Sequence, residues 1–105
     1  MKPSIRQKLD LLVDRLDEID RMLSAPSTAN DMDQFRKLSR ERAEIEPVIV
    51  QFHAFRQAEN DLAEAEAMRN DPEMRDFAEE EMASAKARLP ELEVELQKLL
   101  LPKDP

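Results

Sequence analysis

Few side chains in this sequence have the types and spacing that catalysis or metal binding requires. The single histidine, His53, lies between Phe52 and Phe55, far in sequence from any serine or threonine that it could activate as a nucleophile. A di-iron site in a helical bundle needs a glutamate three residues before an inward histidine, but residue 50 is valine. The chain also lacks the glycine of phosphate-binding loops and the cysteine of thiolate metal sites. We therefore expect no enzymatic activity, no catalytic residue, no metal site and no cofactor.

A cluster of four cations is the one candidate contact site: Arg36, Lys37, Arg40 and Arg42. The commoner interpretation is a solvated helix face balanced by nearby acids at salt-bridge spacing, such as Asp33 and Lys37. The alternative is a contact patch for RNA or for an acidic protein. A formal net charge of −8 disfavours a domain whose main task is to neutralise phosphate.

Three stripes of apolar residues, spaced four and three apart, position these side chains. Residues at this spacing share one face of a helix, so each stripe predicts a long amphipathic helix that packs against a neighbour. The stripes are Ile5, Leu9, Leu12, Leu16, Ile19 and Leu23; Phe35, Leu38, Ile45, Ile49, Phe52, Phe55 and Leu62; and Met82, Ala85, Leu89, Leu92, Leu96 and Leu99. The sequence therefore predicts an all-α, coiled-coil-like antiparallel three-helix bundle.

Capping and turn residues set the predicted helix bounds at about 4–24, 31–68 and 72–100. Ser4 and Gln7 have capping-box spacing, and Asp71-Pro72 combines a cap with a proline at the first helical position. Thr28, Asn30 and Asp31 are alternative caps for the second helix.

Two prolines fall inside the predicted helices. Pro47 predicts a bend near Glu44, and Pro90 lies inside the third helix. At about 1.5 Å per residue, the middle helix is far longer than either partner. We expect the first helix to pair with its N-terminal half and the third with its C-terminal half, which gives one small, elongated domain over residues 1–105.

The composition favours a cytoplasmic protein. No cysteine supports secretion, the first residues include Lys2, Arg6 and Lys8 without an apolar run, and the longest aliphatic runs are too short for a membrane span.

Three segments carry a resemblance to a known family. The chain opens Met1-Lys2-Pro3-Ser4-Ile5, contains Leu38-Ser39-Arg40-Glu41 and Asp71-Pro72-Glu73-Met74-Arg75, and closes Leu99-Leu100-Leu101-Pro102-Lys103-Asp104-Pro105. In this order and helical context, the whole chain resembles the N-terminal part of bacterial class I peptide chain release factors. The closing segment is the most specific and resembles release factor 1, the class that terminates translation at UAA and UAG.

The resemblance implies a function for the fragment. It implies a mobile helical arm directed toward the GTPase-associated region of the large ribosomal subunit, its stalk-base protein and the GTPase that recycles release factors. The family reads codons through Pro-x-Thr and hydrolyses peptidyl-tRNA through Gly-Gly-Gln. Gly-Gly-Gln does not occur here, and the one Pro-x-Thr match, Pro26-Ser27-Thr28, lies in the predicted turn between the first two helices. Residues 101–105 would begin the linker to those domains.

Two other functions remain open from the residues alone: a free-standing coiled-coil adaptor that recruits a partner helix, and a small enzyme or cofactor protein. Gly-Gly-Gln in the coding sequence after Pro105 would discriminate the release factor from the adaptor. The apolar Leu99, Leu100 and Leu101 also predict a homodimer that results from truncation.

Overall fold

The computed structural model describes residues 1–101, and the last four residues of the predicted linker lie outside this range. Four helices follow in chain order: α1 (Pro3–Leu23), α2 (Pro26–Ala29), α3 (Met32–Met68) and α4 (Arg75–Leu100). The predicted all-α fold with a long middle helix is confirmed. None of these four helices is both long and apolar enough to cross a membrane.

The chain divides into two compact units, Met1–Val50 and a second that begins at Gln51. The sequence predicts one small domain, whereas in the structure α3 contributes its first half to one unit and its second half to the other.

The first unit is built around one apolar cluster. Ile19 of α1 packs with Leu38, Ile45 and Ile49 of α3, and all four are buried. Partly buried side chains of α1 surround them: Leu12, Val13, Leu16, Met22 and Leu23. Ile19, Leu38, Ile45 and Ile49, which the predicted stripes contain, therefore form this core.

In the second unit, α3 and α4 run antiparallel. Asp61 of α3 pairs with Arg88 of α4 at 3.1 Å, and Arg69, directly after α3, pairs with Glu79 of α4 at 4.0 Å. As residue numbers rise from Asp61 to Arg69, the numbers of the facing residues on α4 fall. Half of the buried positions hold alanine and half hold large apolar side chains. The buried residues are Phe52, Phe55, Ala58, Ala65, Ala78, Met82, Ala85 and Leu96.

The predicted capping box of α1 and the predicted start of α4 are wrong. α1 begins at Pro3 after Lys2, without a side-chain cap, so Ser4 and Gln7 do not form the predicted capping box. α4 begins at Arg75 and not near residue 72, because Asp71 forms a turn. Its side chain accepts a hydrogen bond from the amide of Glu73 at 3.0 Å, and its carbonyl accepts one from the amide of Met74 at 3.0 Å.

The connection between α1 and α3 differs in one respect from the predicted linker. It contains the short helix α2, which has Pro26 at its start. Of the three alternative caps for α3, Asp31 accepts a hydrogen bond from the amide of Gln34 at 3.2 Å.

Both internal prolines lie within continuous helices. Pro47 is inside α3 and Pro90 is inside α4, so neither residue breaks its helix. The bend near Glu44 stays a prediction.

Candidate functional site

The basic cluster lies in the first half of α3 and splits into two kinds of cation. Arg36, Lys37 and Arg40 are exposed, and none has an ion pair among residues 1–101. Arg42 is half-buried and forms ion pairs with Asp20 of α1 at 2.8 Å and with Glu46 one turn along α3. The interpretation of a balanced face therefore describes Arg42, whereas the other three cations face solvent.

The electrostatics of Arg42 follow from these partners. Its hydrogen bond to Asp20, with the negative charges of Asp20 and Glu46, raises the pKa of the Arg42 guanidinium. Arg42 is therefore engaged in joining α1 to α3, whereas Arg36, Lys37 and Arg40 have no ion pair within residues 1–101.

A second arginine, which the sequence analysis did not single out, also joins these helices. Arg15 of α1 donates two hydrogen bonds to the carboxylate of Glu41 in α3, at 2.5 and 2.8 Å, and pairs with Glu18 at 2.8 Å. The hydrogen bond from Arg15 lowers the pKa of Glu41, and these carboxylates raise the pKa of Arg15. Spacing rules find pairs within one helix, so a pair between two helices gives no such signal.

Acidic charge is concentrated in the second half of the sequence. Residues 1–50 contain nine lysines and arginines against ten acids, a formal charge of −1. Residues 51–101 contain six against 13, a formal charge of −7. The basic cluster thus lies in a nearly neutral unit, and the second unit is strongly acidic.

His53 lies in a polar surface groove on α3 with Arg56, Gln57, Glu59 and Asn60. The groove is open and its lining contains no serine, threonine or cysteine that a histidine could activate. In the part of the chain that the structure describes, no three His, Cys, Asp or Glu side chains form a group that could hold a metal ion.

Exposed apolar side chains occur at the start of α3 and at the start of α4. In α3, Met32 is 57% exposed and Phe35 is 39% exposed. At the start of α4, Met74 is 36% exposed and Phe77 is 49% exposed. The placement of Phe35 in a buried stripe is wrong.

The sequence contains a signal for both pairs, since each is written Met-x-x-Phe. The neighbouring charges are opposite. The first pair precedes the basic cluster, and the second precedes Glu79, Glu80 and Glu81. α3 therefore begins with an exposed apolar pair followed by basic residues, and α4 begins with an exposed apolar pair followed by acidic residues.

Comparison with protein families gives one match that covers most of the chain. Residues 12–105 match the PCRF domain. The match includes the basic cluster and both Met-x-x-Phe pairs.

Proposed function

The chain belongs to the PCRF-domain family of release factors, which acts in translation termination, and from this premise we propose that it is the N-terminal domain of peptide chain release factor 1. The family match carries the assignment to a release factor. The choice of release factor 1, which acts at UAA and UAG, is supported by the resemblance of the segment from Leu99 to Pro105. The sister factor that reads UGA resembles the chain in helical layout, but we do not expect it to share this ending.

The proposed role of this domain is that of a docking arm in the cytoplasm, without enzymatic activity of its own. Its proposed partners are the GTPase-associated region of the large ribosomal subunit, the stalk-base protein and the GTPase that recycles release factors. We assign hydrolysis to the Gly-Gly-Gln motif, which this sequence does not contain. We assign codon reading to a Pro-x-Thr motif of another domain, because the one Pro-x-Thr match here, Pro26-Ser27-Thr28, lies in the connection between α1 and α3.

Three exposed cations support a contact role for the basic cluster. Arg36, Lys37 and Arg40 have no ion pair among the described residues, so binding an anionic group would not first require them to leave a carboxylate. Their charge would raise the rate of encounter with an anionic partner more than the final affinity. Arg42 would contribute indirectly, because its pairs with Asp20 and Glu46 hold this part of α3 against α1.

The experiment for the contact role is a double charge reversal in the complete factor. Arg36→Glu with Arg40→Glu should slow ribosome association or recycling at low salt, and the effect should shrink as salt screens the charges. Lys8→Glu with Lys86→Glu is the matched control, because both residues are exposed and the net charge changes equally.

The choice of codon should not change in either double variant, because the codon-reading motif lies outside these residues. Unchanged association and recycling in the Arg36 and Arg40 variant would remove the cluster from the mechanism. Release assays of the complete factor at UAA, UAG and UGA test the assignment to release factor 1. Release at UGA without release at UAG would refute that assignment.

A further inference from the structure

The start of α4 carries an apolar surface that residues 1–101 do not cover. Met74 and Phe77 are 36% and 49% exposed, although phenylalanine is scarce in this sequence and both Phe52 and Phe55 are buried. The amide of Ala78 donates to the carbonyl of Met74 at 2.8 Å, so Met74 already belongs to the first helical turn. Side chains three apart on such a turn are neighbours, and Met74 and Phe77 therefore form one patch.

The acids around this pair are mostly unpaired. Glu79 interacts with Arg69 at 4.0 Å. Glu73, Asp76 and Glu80 are exposed, and none of the three has an ion pair within the described range. Arg75 is the single cation between residues 70 and 85. We call Met74 and Phe77, together with these three unpaired acids, the Met74–Phe77 patch.

The charge of the patch selects the class of partner. An anionic surface repels phosphate, so neither RNA nor a nucleotide is a suitable occupant. A protein surface with lysine or arginine around an apolar side chain would cover Met74 and Phe77 and place cations beside the three free carboxylates. The negative charge of Glu73, Asp76 and Glu80 therefore favours a basic partner, and the exposed side chains of Met74 and Phe77 provide the apolar surface that the partner would cover.

We propose that the Met74–Phe77 patch binds a basic and apolar surface of a ribosomal protein, separately from the contact made by Arg36, Lys37 and Arg40. This inference rests on the proposed docking function, because that function brings the chain to the ribosome.

The experiment measures binding of the 105-residue chain, labelled at its N-terminus, to purified large ribosomal subunits by fluorescence anisotropy. Phe77→Ser should weaken binding about tenfold, because the exposed half of the ring would no longer be covered on binding. Val94→Ser is the matched control, since Val94 is also 49% exposed on α4 and lies between Glu91 and Glu95. It should change binding less than twofold. Circular dichroism melts verify that both variants fold.

Carbodiimide cross-linking identifies the partner, because it joins a carboxylate to a lysine amine in contact with it. We expect cross-links from Glu73, Asp76 or Glu80 to lysines of a ribosomal protein, and their loss in Phe77→Ser. Ultraviolet cross-links from this patch to RNA would overturn the proposal.

Three other results would overturn the proposal for the Met74–Phe77 patch. If the chain forms dimers alone, and both Phe77→Ser and Phe35→Ser abolish them, the occupant is a second copy and the proposal is wrong. If the wild-type chain binds and Phe77→Ser binds equally well, the patch is excluded while the docking function stands. If the wild-type chain does not bind large subunits, the docking function and this inference both fail.

Discussion

Phe52 offers the most direct test of how the second unit is held together. Its side chain is fully buried and is the largest one in the described residues that has no exposed surface. A phenylalanine buries roughly 150–250 Å². Truncation to alanine removes most of this contact and leaves a cavity, so we expect Phe52→Ala to lower the free energy of unfolding by about 3–5 kcal/mol.

A smaller contribution comes from Arg56, whose guanidinium carbon lies 5.5 Å from the centroid of the Phe52 ring. Such a cation–π contact at an exposed arginine is worth about 0.5–1 kcal/mol. Phe52→Leu keeps most of the volume but loses the ring, and it should cost less than half as much as Phe52→Ala. Because a chain of this size has a total stability on the order of 5–15 kcal/mol, the alanine variant would lose a large part of it.

The assay is urea unfolding followed by circular dichroism at 25 °C. Phe77→Ala is the matched control, because Phe77 is 49% exposed and should lose less than about 1 kcal/mol. Equal losses in Phe52→Ala and Phe77→Ala, or an unchanged midpoint in Phe52→Ala, would refute the placement of Phe52 in the core.

Three further predictions concern pH, association and activity. Arg15 lowers the pKa of Glu41 from its ordinary value of 4.5, so the stability from this pair is present above about pH 4.5 and is lost as pH falls through the lower pKa of the folded state. The urea midpoint of Glu41→Gln should therefore fall less than that of the wild type between pH 5 and pH 3, and parallel curves would contradict this. Leu99 and Leu101 are 41% and 66% exposed, so the isolated chain should dimerise at high concentration; sedimentation of a monomer throughout the range would argue against it. The isolated chain should not hydrolyse peptidyl-tRNA on ribosomes programmed with a stop codon, and any stimulated release of peptide would disprove the assignment of that activity to other domains.

Periodicity predicted the helices well because a repeat of apolar residues fixes which side of a helix can be buried. It could not predict what covers each position. Phe35 has the right spacing for the second stripe, but it lies in the first turn of α3 and remains 39% exposed. The start of α4 was missed for a different reason. Asp-Pro is a good signal for the first turn of a helix and also for a tight turn, and local sequence does not separate the two.

The candidate site was only partly predictable. The sequence located the four cations, but which of them remain free depends on α1, which brings Asp20 to Arg42. The pair of Arg15 with Glu41 likewise joins residues 26 positions apart, and no rule of local spacing reveals such a contact. The charge and the Met-x-x-Phe pattern at the start of α4 can be read from the sequence. The exposure of Phe77 needed the structure, because a phenylalanine is expected to be buried until a neighbour is shown to be missing.

The two internal prolines also determine where water meets the backbone of the long helices. A proline nitrogen cannot donate, so the carbonyls of Ala43 and Lys86, each four residues before a proline, lack their usual helical donors. Ala43, Pro47, Lys86 and Pro90 are all exposed. Solvent can therefore hydrate both carbonyls without entering either core, which keeps the energetic cost of each proline low. In α3 and in α4, one backbone carbonyl is consequently left to water as its expected donor.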